Sequence, residues 1–128
     1  SFKKTLSSLI DQLYFSSESD YPFELLDWGN ISDAEIQKQI LIKHPGSSNT
    51  ENQVAATFFG KCIRNAQASG DEQMKIVAAR YEKLQQFIQD NAASVQVFRC
   101  GKIEVGVYIV IHTKKNEVVV LKTTSIET

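Results

Sequence analysis

Four carboxylate side chains fall in one short segment near the start of the chain, residues 16–27, which contains no lysine or arginine. They are Glu18, Asp20, Glu24 and Asp27, and serines flank the first two. An acidic loop can meet a basic or metal-bearing partner, which it finds quickly and in a salt-dependent way. A solvated turn after a helix has the same composition, because Ser and Asp are common turn residues. The segment therefore predicts either a binding loop or an ordinary exposed turn.

Residues that could carry covalent or metal chemistry are few. The chain has two histidines and two cysteines, His44, His112, Cys62 and Cys100, and no close pair of zinc ligands among them. The motifs GxSxG, GxGxxG, HExxH and the P-loop are absent. Both histidines fall at a predicted turn or strand end, which is typical of partly exposed imidazoles. We expect no enzyme, no cofactor and no metal site of its own, although folding alone could still assemble a catalytic pair.

Composition is that of one globular domain, residues 1–128. The 128 residues are 42% hydrophobic, enough for a core without a metal or disulfide. The net charge of −1 argues against general nucleic-acid binding but permits a basic protein partner. Cys62 and Cys100 could form one disulfide, yet two buried core side chains are the expectation. No signal-peptide pattern and no apolar run of ~20 residues is present, so we expect no membrane span.

The first half of the chain predicts three helices and one strand. Apolar residues spaced by three and four predict a helix over 2–15, and Pro22 favours an extended segment over 21–28. Ser32 begins a capping-box pattern, which predicts a helix that ends before Pro45, with a strand around residue 41 as the alternative. Thr50–Gln53 is another possible cap, before a helical stripe from Val54 to Ile63.

The second half predicts one long helix and a three-stranded meander. The helix covers residues 74–91, after a break at 67–71. Strands follow at 95–100, 103–111 and 118–121, and strict alternation places the β-branched residues of the middle strand on one face. This order predicts an α+β fold with helices packed on an antiparallel sheet.

Two segments of the chain carry a distinctive pattern. The first is Ser17-Glu18-Ser19-Asp20-Tyr21-Pro22-Phe23-Glu24, and the second is the hairpin from Phe98 to Ile109 together with the final Glu127-Thr128. They resemble the nuclease A inhibitor family, small proteins that block a magnesium-dependent nuclease of the ββα-metal type. The likeness covers residues 6–28 and 84–128. It implies an α-β-α sandwich related to the pathogenesis-related-1-like architecture, a cytoplasmic protein and steric inhibition.

The resemblance also implies a binding site. Glu18 and Thr128 fall on the two family positions that reach toward the catalytic magnesium of the nuclease. Ser17, Ser19 and Asp20 would flank this loop and bind basic groups of the partner. The implied partner is a ββα-metal nuclease in a one-to-one complex with an otherwise monomeric inhibitor, without direct nucleic-acid contact.

One departure from the family leaves a second function open. The family inhibitor grips its nuclease with a tryptophan and a glutamine in the loop between two central helices. Residues 65–72 of this chain offer Gln67 as a partial counterpart and no aromatic residue. Because aromatic residues are frequent interface anchors, an interaction module with a different partner is the alternative. Trp28 is expected in the core, and Tyr21 is either a core or an interface residue.

Overall fold

The computed structural model describes all 128 residues and has an α+β fold. A five-stranded antiparallel sheet in the order β3-β7-β6-β5-β4 is accompanied by four helices and a two-stranded sheet, β1-β2. The elements are α1 (Phe2–Ile10), β1 (Tyr14–Ser16), β2 (Asp20–Pro22), β3 (Glu24–Gly29), α2 (Asp33–Ile42), β4 (Glu51–Gln53), α3 (Ala55–Ala68), α4 (Glu72–Asn91), β5 (Ala92–Cys100), β6 (Glu104–Thr113) and β7 (Val118–Ile126).

The core has two parts, because helices cover both faces of the sheet. Residues from α1, α3 and α4 pack against one face, where Val105, Val107, Ile109 and Ile111 of β6 lie as the alternation predicts. On the other face, α2 packs against Tyr108, Val110 and their neighbours on β5 and β7. Ile103, predicted to continue the buried row, is instead 62% exposed, because it lies in the turn before β6.

The first helix is shorter than predicted. It ends at Ile10, and the predicted extension to residue 15 is wrong. Asp11 has an extended backbone (ψ 121°) and Gln12 a positive φ of 55°, so the chain turns and continues as β1. Leu13 is buried although it follows this turn. Because it is apolar and continues the spacing of three and four, the sequence predicted a longer helix. The Arg80 guanidinium of α4 holds the turn, since one nitrogen donates to the carbonyls of Leu9 (2.9 Å) and Asp11 (2.6 Å).

We expect Arg80→Met to destabilise the protein by about 1 to 2 kcal/mol, because charge-assisted bonds to helix-end carbonyls are lost. Arg64→Met on the exposed side of α3 is the matched control and should cost little, since Arg64 makes no hydrogen bond or ion pair to another side chain or to the backbone. Urea unfolding of both variants measures the difference. Equal stabilities would show that the Arg80 contacts do not hold the end of α1.

Other boundaries follow or correct the sequence pattern. The capping box at Ser32 is confirmed as an N-cap, where Glu35 N–H donates to Ser32 Oγ (3.2 Å), and α2 is a helix rather than a strand. The cap predicted at Thr50–Gln53 is wrong: residues 51–53 form edge strand β4, and α3 begins after Val54 without a side-chain cap. The extended segment over 21–28 is divided at Phe23 between β2 and β3.

Several single-residue expectations are also resolved. Cys62 and Cys100 are free and buried, as expected. Both histidines are partly exposed, as predicted. Trp28 and Tyr21 are half-buried, and Trp28 packs beside the second core with Lys43 over its ring. None of the helices combines the length and apolar character that crossing a bilayer requires.

Candidate partner-binding site

The first part of the acidic segment, residues 16–20, forms the tip of the β1-β2 hairpin. Ser16 pairs with Asp20, which leaves Ser17, Glu18 and Ser19 as the connecting loop. The loop is closed by Ser17, whose backbone N–H (3.1 Å) and hydroxyl (3.0 Å) both donate to the Ser19 carbonyl. All three loop residues are exposed. A short, internally bonded loop therefore holds Glu18 at a defined point on the surface.

The hairpin is attached to the last strand of the main sheet. The backbone N–H of Ile126 donates to Ser17 Oγ (2.9 Å), and the Thr123 hydroxyl donates to the Tyr21 carbonyl (3.4 Å). Ser17 thus uses its hydroxyl twice within the protein, once as donor and once as acceptor. The acidic loop and the end of β7 consequently form one surface.

Glu18 and Thr128, which are 110 positions apart, meet at this surface. The backbone N–H of Thr128 donates to Glu18 Oε2 (2.7 Å), and its hydroxyl lies 2.7 and 2.8 Å from the two carboxylate oxygens. The Thr128 hydroxyl, and then its backbone N–H, lower the pKa of Glu18 below the ordinary value of 4.5, because both stabilise the ionised form. Glu18 is therefore a carboxylate at neutral pH, oriented by Thr128.

A second carboxylate fixes the tail that carries Thr128. Glu127 accepts bonds from the Arg99 guanidinium and from the Ser125 hydroxyl (2.8 Å), and its backbone N–H donates to the Ile103 carbonyl (2.8 Å). The Arg99 hydrogen bond lowers the pKa of Glu127. Sequence reasoning missed the Arg99–Glu127 pair, and the only signal for it was one arginine within the apolar strand β5.

The remaining predicted site residues differ in their relation to Glu18. Ser17 and Ser19 belong to the same loop, and Asp20 is exposed at the start of β2. Gln67 is exposed in the last turn of α3 and makes no hydrogen bond to the loop. The connection between α3 and α4 is residues 69–71, shorter than the 65–72 loop that the sequence predicted.

The Glu18–Thr128 contact should make the docking of the tail depend on pH. Because the folded-state pKa is lowered, ionised Glu18 stabilises the docked tail above about pH 4.5, and this stabilisation is lost as the pH falls through the lowered pKa. We expect the NMR signal of the Glu18 side-chain carboxyl carbon to titrate with a midpoint below 4.5. Thr128→Ala removes the hydroxyl, the larger cause, and should raise the midpoint. An unchanged midpoint in this variant would contradict the contact.

These features define an α+β protein in which an exposed acidic hairpin is braced by the last strand of the sheet. The family model described as nuclease A inhibitor-like protein matches residues 1–128, the whole chain. The protein therefore belongs to the nuclease A inhibitor-like family. No curated protein matches the chain at a significant level.

Proposed function

We propose that this protein inhibits a sugar-non-specific, magnesium-dependent nuclease of the ββα-metal type by blocking its active site. The observation that carries the proposal is the exposed Glu18–Thr128 contact in a member of the nuclease A inhibitor-like family. The role of this protein is then that of a binding protein rather than an enzyme. The helices on both faces of the sheet support the further proposal of a pathogenesis-related-1-like α-β-α sandwich.

The proposed mechanism is imitation of the substrate phosphate at the nuclease metal. Magnesium prefers hard oxygen ligands and retains several waters. A carboxylate has about four acceptor sites, whereas Thr128 has one hydroxyl proton and one amide proton to give. Glu18 therefore keeps acceptor capacity for the metal or its waters while Thr128 holds its orientation. The body of the inhibitor then excludes the nucleic-acid substrate.

The flanking residues have separate proposed roles. Ser17 supports the loop from within, because its hydroxyl already donates to Ser19 and accepts from Ile126. Asp20 carries a second exposed negative charge beside Glu18, suited to a basic group at the rim of the nuclease site. Ser19 and Gln67 are exposed polar residues for hydrogen bonds to the partner. The near-neutral charge supports binding to the nuclease itself rather than to its nucleic acid.

We further propose a monomer that forms a one-to-one complex in the cytoplasm. The two free, buried cysteines fit a reducing compartment.

The alternative function is an interaction module of the same fold with a non-nuclease partner. The α3–α4 connection favours it, because Ser69, Gly70 and Asp71 supply no aromatic anchor.

The test is titration of a ββα-metal nuclease in Mg²⁺ with this protein, followed by DNA degradation. Inhibition predicts activity that falls linearly and reaches its minimum near one equivalent. A version with a short Gly-Ser extension after Thr128 should inhibit poorly, while the same extension before Ser1 should not matter. Full nuclease activity at large excess of the protein would favour the alternative function.

A further inference from the structure

An open polar basin lies on the α2 face of the sheet, beyond the area that α2 covers. Its volume is about 560 Å³. Lys43 and residues 45–47, which follow α2, form one wall, and the β5-β6 turn with Gly101 and Lys102 forms another. The floor consists of His44 and of side chains from β3, β6 and β7. No residue of the Glu18 loop lines this basin, so it is separate from the site described above.

The floor contains a fixed histidine–tyrosine pair. His44 Nε2 lies 2.7 Å from the hydroxyl of Tyr108, a fully buried residue. The imidazole occupies the space above Gly106, where a Cβ would lie 2.4 Å from Nε2. The absence of a side chain at residue 106 therefore allows His44 to rest on the strand and to present a polar ring to the basin.

Three lysines from three different elements line the basin: Lys43 after α2, Lys102 in the β5-β6 turn and Lys122 on β7. None of them has a carboxylate within 4.0 Å, which is also true of most lysines elsewhere in the chain. What distinguishes these three lysines is that they line one cavity. Lys122 Nζ contacts only the Thr124 hydroxyl, at 3.3 Å. Lys43 Nζ lies 5.5 Å from the centre of the Trp28 ring, a contact that uses none of its N–H donors in a hydrogen bond. The three ammonium groups therefore retain hydrogen-bond donors for an anion.

The charges around His44 also favour an anionic ligand. Burial lowers the pKa of His44 most, and the next cause is the positive charge of Lys122. Glu104 raises this pKa, and Lys43 lowers it further. The imidazole is therefore mainly neutral at pH 7. A bound dianion would reverse this balance and favour the imidazolium.

Two carboxylates complete the lining and narrow the class of ligand. Glu24 is the neighbour of Lys122 across the β3-β7 pair, and Glu104 begins β6. Carboxylates repel a bare phosphate but accept hydrogen bonds from hydroxyl groups, as they do from the ribose of dinucleotides. A ligand with an anionic end and a hydroxylated body satisfies both kinds of side chain.

We propose that this basin binds a phosphate monoester of a sugar, with Lys43, Lys102 and Lys122 on the phosphate and Glu24 and Glu104 on the hydroxyl groups. The His44–Tyr108 pair forms the polar floor beneath the ligand. This proposal does not depend on nuclease inhibition, since it concerns a different surface and a small molecule.

The chain has two histidines, which makes the ring NMR signals a direct probe. Ribose 5-phosphate should shift the His44 signals saturably and raise the pKa of His44. The His112 signals should not shift, because His112 lies near the end of β6 whereas His44 lies above Gly106, near its start. Inorganic phosphate should bind about tenfold more weakly, as expected for the loss of one or two hydrogen bonds. Ribose alone should produce no shift. Equal affinity for phosphate and ribose 5-phosphate would overturn the role of the glutamates, and no shift with either would overturn the site.

Variants locate the binding. Lys102→Ala and Lys122→Met should each weaken ribose 5-phosphate binding about fivefold to tenfold, because each removes one charged contact. Lys102 is exposed in a turn, so its variant should fold normally even if the β7 variant does not. Lys115→Ala, in the β6-β7 turn at the far end of the sheet, is the matched control and should bind as the parent protein does. Equal weakening by all three variants would indicate general charge attraction and contradict the basin.

Discussion

Glu18→Gln should weaken inhibition of a ββα-metal nuclease about 100-fold, the size of effect that a central interface residue carries. The amide loses the negative charge that magnesium prefers, and its NH₂ group cannot accept the Thr128 donors. Stability should change little, because Glu18 is exposed at a hairpin tip and such substitutions rarely matter for folding. The inhibition constant and the urea midpoint of the same preparation measure both effects.

The matched control is Glu82→Gln, which makes the same chemical change on an exposed position of α4. It should inhibit like the parent protein. A double-mutant cycle with Thr128→Ala then tests whether the two residues act together, since a shared contact makes their effects less than additive. Undiminished inhibition by Glu18→Gln, or early unfolding with inhibition retained, would show that the carboxylate is a structural turn residue.

The central sheet and its helices could be predicted from local patterns. The alternation in β6 succeeded because the strand is long and its apolar residues on one face all meet the same helices. The spacing of apolar residues gave a wrong helix end at Leu13, because a buried apolar residue need not lie in a helix. Leu13 continues the helical spacing, yet it reaches the core from a turn held by Arg80, 69 residues from Asp11 in sequence.

The candidate site was only partly predictable, for a different reason. The resemblance predicted Glu18 and Thr128 as two separate site residues, but no local pattern indicates that their side chains bond to each other. The contact depends on the β1-β2 hairpin lying against β7, and the Arg99–Glu127 pair depends on the turn of the tail toward Ile103. Strand β4 was missed because three polar residues at a sheet edge carry no apolar alternation.

Gly106→Ala should lower the free energy of unfolding by about 3 kcal/mol, more than Arg80→Met does. This value is at the upper end of the range for overpacked sites. The new Cβ would lie 2.4 and 2.5 Å from His44 Nε2 and Cε1 and 2.8 Å from Tyr108 Cε2. Relief requires the imidazole to move and its hydrogen bond to the buried tyrosine to break. The free energy of unfolding in urea measures the loss.

Gly60→Ala separates this packing effect from the general effect of removing a glycine. Gly60 lies inside α3, and its nearest neighbour would be the flexible end of Arg64 at 3.1 Å, so alanine should be neutral or stabilise by about 0.5 to 1 kcal/mol. In a His44→Ala background, Gly106→Ala should cost less than it does alone, because the main obstacle is gone. The Tyr108 ring would still oppose the Cβ, so the rescue should be partial. An equal cost in both backgrounds would mean that His44 does not rest on Gly106, and the floor of the basin would then be wrongly described.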